Sequence, residues 1–100
     1  MARYINTNRN GDGWTETEKL AVWRKGSIIP EYSGDVWRRD KCEKAMKYSD
    51  HGNRDSDYGW EIDHINPVSN GGGDDIINLQ PLHWENNADK GDELYWTCPK

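Results

Sequence analysis

The feature that most restricts the fold lies between residues 58 and 91, where the apolar period changes from that of a strand to that of a helix. Trp60-Glu61-Ile62-Asp63-His64-Ile65 alternates apolar and polar side chains, the mark of a half-buried strand. Pro67 ends it, because proline has no N–H to give to a ladder. Ser69-Asn70-Gly71-Gly72-Gly73-Asp74-Asp75 is rich in turn residues and reads as a connection. Its glycines lack the following Lys-Ser/Thr of a phosphate-binding loop, so it is read as a hairpin-type link. Ile76-Ile77-Asn78-Leu79-Gln80 forms a second short strand closed by Pro81, and Leu82 to Lys90 has helical composition with Gly91 as its stop. The order is strand, loop, strand, helix: a ββα unit within an α+β fold.

Upstream the signals are weaker. Residues 1–13 read as an irregular polar arm. Thr15 and Glu18 have the spacing of a capping box, and Leu20, Trp23 and Gly26 fit a short helix ending at the glycine. Ile28-Ile29-Pro30 forces an extended stretch. Asp35 is placed to cap a second helix, with Val36, Trp37, Ala45 and Met46 as its apolar stripe. Arg38, Arg39, Lys41, Lys44 and Lys47 then occupy its other faces, either as a solvated surface or as a grip on nucleic acid. His51 falls in a polar loop and reads as exposed. The 100 residues fit one domain. Phe is absent and six tryptophans are present, so large indoles are expected to make the core.

The net charge of −5 argues against a protein that coats nucleic acid unselectively. A site for a divalent cation is also acidic until the cation binds, so local DNA binding stays open. Cys42 and Cys98 form no Cys-x-x-Cys pair; two reduced thiols are the simpler reading, with a disulfide as the alternative. No apolar run suits a signal peptide or a membrane span, and a cytoplasmic protein without membrane contact is expected.

The ββα unit gathers residues with a shared chemistry. Asp63 and His64 are neighbours on the first strand, with side chains on opposite faces, Asn78 comes from the second strand and Asn87 from the helix. Carboxylate and amide oxygens are hard ligands that suit Mg²⁺ or Mn²⁺. A neutral imidazole accepts a proton from water near neutral pH. His83 lies four residues before Asn87, on the same helix face, and joins the metal, contacts phosphate, or packs at the helix start against Trp84. Lys90 either reaches a phosphate or favours the helix C-terminus through the dipole.

Trp60-Glu61-Ile62-Asp63-His64-Ile65, Pro67, Gly71-Gly72, Asp74, Asn78-Leu79-Gln80, Asn87 and Lys90 together resemble the HNH endonuclease motif. Weaker similarity extends through Val36-Trp37-Arg38-Arg39-Asp40 and Tyr58-Gly59. The resemblance implies a ββα-metal (His-Me finger) core with additional N-terminal helices, and a metal-dependent DNA endonuclease that nicks or cuts double-stranded DNA. It implies His64 as general base, Asn78 as the residue orienting that base and its loop, and Asp63 and Asn87 as ligands of one Mg²⁺ or Mn²⁺. His83 is a further ligand candidate, and Arg38, Arg39, Lys41, Lys44 and Lys90 are the expected DNA contacts. Many members hold a structural zinc on two Cys-x-x-Cys pairs. Here His83 and Asn86 stand at the downstream positions and only Cys42 upstream, so no structural zinc is expected. DNA is the expected partner, with a homodimer or a phage or restriction partner also admitted. The alternative is an HNH-like binding module acting with a packaging or recombination partner, its catalysis secondary or lost.

Overall fold

The computed structural model describes residues 5–100; the first four residues of the expected N-terminal arm lie outside that span. The fold is α+β, with two helices and two small antiparallel sheets. Helix α1 spans Glu16–Trp23 and starts where the capping box requires. Thr15 Oγ1 accepts the Glu18 N–H at 3.1 Å, and Glu18 Oε1 accepts the Thr15 N–H at 2.9 Å. Glu16 and Glu18 lie in its first turn, where they oppose the positive end of the dipole. The helix buries Val22 and Trp23.

The second helix expected from Asp35 to Lys47 does not form, so among the described residues one α-helix precedes the hairpin-and-helix unit. Its residues make two strands, β2 (Trp37–Arg39) and β3 (Ala45–Lys47), which join β1 (Ser27–Ile28) in a sheet of order β1-β2-β3. Trp37 pairs with Lys47, Arg38 with Met46 and Arg39 with Ala45. The cause of the reversal is Asp40. Its Oδ1 accepts the N–H groups of Cys42 at 2.9 Å and Lys44 at 3.0 Å, and Glu43 takes a positive φ of 66°. A side chain that satisfies local N–H groups in this way favours a turn over a helix.

Strands β4 (Trp60–His64) and β5 (Leu79–His83) form an antiparallel hairpin in which Asp63 faces Gln80 and His64 faces Leu79. The second strand therefore starts later than its composition suggests and runs through Pro81. A two-stranded ribbon leaves each strand an edge, and that is where a proline fits. Ile76–Asn78 is a 3₁₀ turn that leaves Ile77 83 % exposed. Helix α2 (Trp84–Lys90) follows β5 directly and stops at Gly91.

The core is built from Val22, Trp23, Met46, Trp60, Ile62 and Leu79, with Trp14, Leu20 and Tyr48 packed at its edge. Two of the six indoles, Trp23 and Trp60, are fully buried, fewer than expected. Both buried N–H groups find carbonyls: Trp23 at Gly34 O, 2.8 Å, and Trp60 at Tyr48 O, 3.1 Å. Two ties close the rest of the molecule. Asp40 Oδ2 accepts the His83 N–H at 3.0 Å and the Asn86 amide at 2.8 Å, binding the β2–β3 turn to the start of α2. Cys42 and Cys98 are joined in a disulfide, which corrects the reading of two reduced thiols. Among the described residues no helix is long and apolar enough to cross a membrane.

Candidate active site

Strand alternation divides the candidate residues between two faces of β4. Glu61 and Asp63 face α2. Asp63 Oδ2 accepts the Gln80 amide at 2.9 Å, and its Oδ1 lies 3.3 Å from Lys90 Nζ. The same ammonium donates to the His64 carbonyl at 3.0 Å. One turn earlier on α2, the Asn87 amide donates to Glu61 Oε1 at 2.7 Å. Arg54 clamps Glu61 through Nε and Nη2, both at 2.8 Å, and that carboxylate raises the guanidinium pKa. Asp63 and Asn87 thus line one buried polar seam between the hairpin and the helix.

His64 turns the other way. Its Nε2 lies 2.8 Å from Asp74 Oδ1, and the Trp14 ring lies beside it with centroids 5.7 Å apart. Among the described residues Nδ1 makes no hydrogen bond. Asp74 sits in the loop between β4 and β5, and Asn78 organises that loop. The Asn78 amide donates to Asn66 O at 3.1 Å and Gly73 O at 2.8 Å, while its Oδ1 accepts the Asn66 N–H at 2.8 Å. Gly72 is needed where this network tightens, because a Cβ there would lie 1.8 Å from the Asn66 carbonyl oxygen. Asn78 therefore meets the backbone after His64 rather than the imidazole itself.

Several expected site residues are placed elsewhere. His83 is fully buried, with Nε2 against the Asp57 carbonyl at 2.7 Å and Nδ1 accepting the Glu85 N–H at 3.1 Å. Both ring nitrogens are used, so none is left for a metal, and the helix-start reading replaces the ligand reading. Lys90 is 2 % exposed and sits against Asp63 and the His64 carbonyl, so its ammonium does not reach a phosphate outside the fold. Arg38 is spent on the carbonyls of Gly34, Arg24 and Gly26. Lys44 lies 3.9 Å from Glu85. Arg39 and Lys41 line a cleft with Lys25, Ile65, Gln80 and Pro81. His51 is half-buried against Trp60 and Asn6 rather than exposed, and burial pushes its imidazole down to about 4.

Sequence reasoning missed Glu61, Gln80, Lys25 and the role of Asp74. Glu61 was accessible in principle, since period two places it on the face of Asp63. Gln80 needed the hairpin register and Lys25 the docking of α1. Asp74 depends on a loop fold that no periodicity reports.

At the seam, Asp63 and Asn87 are the donors a divalent cation would meet. One carboxylate and one amide oxygen on facing elements suit a hard ion and leave positions for water and phosphate. Among the described residues no group of three or more His, Cys, Asp or Glu is arranged to hold a metal. Lys90 already supplies positive charge at Asp63, so an ion bound there has to displace that contact. A family model described as HNH endonuclease matches residues 42–93. No curated protein and no solved structure matches the chain.

Proposed function

The chain belongs to the HNH endonuclease family, and from that premise we propose that it is a metal-dependent DNA endonuclease with a ββα-metal core and His64 as its general base. The observation that carries this reading is the end of β4: His64 is held at one ring nitrogen by Asp74, while Asp63 beside it opens onto the seam shared with Asn87. Nδ1 takes a proton from water. The water oxygen forms the new bond to phosphorus, and the bond from phosphorus to the 3′ oxygen breaks. The 3′ oxygen leaves with the electron pair and is protonated by solvent. Asp63 and Asn87 would hold one Mg²⁺ or Mn²⁺, which would supply charge neutralisation at the phosphate and the leaving oxygen. Asn78 keeps the loop after His64 in shape. Arg39 and Lys41, which line the cleft with Gln80 and Pro81 of the hairpin, contact backbone phosphates. One chain carries one such site and nicks one strand; a double-strand cut takes two engagements or a dimer.

One observation favours the second reading, a DNA-binding module whose chemistry is lost: the Lys90 ammonium sits on the carboxylate that a metal ion would use. Supercoiled plasmid incubated with Mg²⁺, Mn²⁺ or EDTA separates the two. The endonuclease reading expects relaxed circles with either metal and none with EDTA. Retardation of the plasmid in a gel without relaxation in any metal supports the binding module instead.

A further inference from the structure

Building on the endonuclease reading, we propose that Asp74 is a positioning residue for His64, held in place by the N-terminal segment that crosses the site. An imidazole has two nitrogens, and which one carries the proton is set by the partner of the other. Asp74 Oδ1 lies 2.8 Å from Nε2. In the neutral ring this contact requires the proton on Nε2, because an ionised carboxylate only accepts. Nδ1 then keeps its lone pair and serves as the basic nitrogen. Without Asp74 the ring is free to exchange tautomers and to turn about its terminal torsion.

Asp74 is itself fixed from two directions. The Arg9 N–H donates to both carboxylate oxygens, at 3.0 and 3.3 Å, across 65 residues of sequence. On the other side, Asn78 holds the neighbouring Gly73 carbonyl at 2.8 Å. Further along the same N-terminal segment, the Trp14 ring packs beside His64. The segment is anchored in turn by Asn6, whose Oδ1 accepts the Ile62 N–H of β4 at 2.9 Å. Three parts of the chain therefore meet at one carboxylate. A simple cap for the arm would need only the Arg9 contact; the second contact, to the imidazole, is what a positioning residue requires.

Nitrogen NMR of the full chain in excess Mg²⁺ at mildly alkaline pH reads the tautomer of His64 directly. Plasmid nicking gives kcat and KM. The wild type should show the Nε2–H tautomer. Asp74→Ala should mix the tautomers and lower kcat about 10- to 100-fold with KM unchanged, and Asp74→Glu should recover part of both. Asp74→Leu, which keeps the bulk of the side chain and has no acceptor, serves in place of the alanine variant if that one fails to fold. An unchanged tautomer or an unchanged kcat in a folded variant overturns the proposal. If the wild type nicks plasmid in neither Mg²⁺ nor Mn²⁺, the endonuclease reading falls separately. The tautomer then decides by itself: loss of the Nε2–H preference in the variant upholds the positioning role, and its persistence overturns it.

Discussion

Asp40 is 2 % exposed and accepts four hydrogen bonds, two from its own turn and two from the start of α2. Removing the carboxylate leaves buried N–H groups without acceptors, and each such group costs its full desolvation. Asp40→Ala should therefore lose about 3 kcal/mol in urea unfolding, whereas a solvated turn residue would lose almost nothing. His51 makes a prediction of a different kind. Its imidazole titrates near 4 in the fold because burial disfavours the charged form, against an ordinary value of 6.5. Below the ordinary value the unfolded chain takes up a proton that the folded chain refuses, so this residue makes stability fall as pH drops from about 6.5 towards 4. His51→Phe should flatten that part of the stability profile while leaving the carboxylate titrations below it.

At the scale of elements, the hairpin and α2 meet through a buried ion pair, Asp63 with Lys90. Breaking such a pair from one side costs about 3–5 kcal/mol, because the remaining charge stays buried. Lys90→Met should thus lower the melting temperature in EDTA, and Mn²⁺ should restore more of it than Mn²⁺ adds to the wild type. Equal metal effects on both proteins would mean that Asp63 does not meet the ion. Here the limits of sequence reading are also clearest. The strand from Trp60, the capped start of α1 (which ends at Trp23, short of the expected Gly26) and the helix stop at Gly91 were legible because each has a local cause in period or cap. The hairpin of residues 37–47 was not. Trp37 and Met46 suit a helical stripe as well as a strand pair, and the deciding contacts of Asp40 reach forward to residues 83 and 86. Ile76 and Ile77 look like strand residues, yet the turn that exposes them is needed to bring Asn78 back onto the loop. Of the candidate site, Asp63, His64, Asn78 and Asn87 could be named as candidates from the family motif they resemble. The pairing of His64 with Asp74 could not, because it is a loop-to-strand contact.

Across the whole molecule, the Cys42–Cys98 disulfide closes a loop with a sequence separation of 56 and pins the C-terminal segment near α2. Trp96 of that segment donates to Asp89 at 2.9 Å, and the Lys41 ammonium lies over its ring. Loop closure of this length is worth on the order of 4 kcal/mol. Reduction should lower the melting temperature by at least about 10 °C, and a Cys98→Ser variant should show the same fall and no further response to reductant. Disulfides persist mainly in oxidising surroundings, so the expectation of a cytoplasmic protein loses the support it took from free thiols. The acidic balance of the chain is met locally: Glu61 and Asp63 are neutralised inside the fold by Arg54 and Lys90, while Lys25, Arg39 and Lys41 gather at one cleft. On the endonuclease reading, His64 removes the proton from the attacking water. Nicking of supercoiled plasmid by His64→Ala in saturating Mn²⁺, with Mn²⁺ binding to the same protein measured by calorimetry, isolates that role. The expected outcome is wild-type affinity for the ion and a nicking rate lower by ~10²–10⁴-fold. Nicking at the wild-type rate would remove His64 from the role of base.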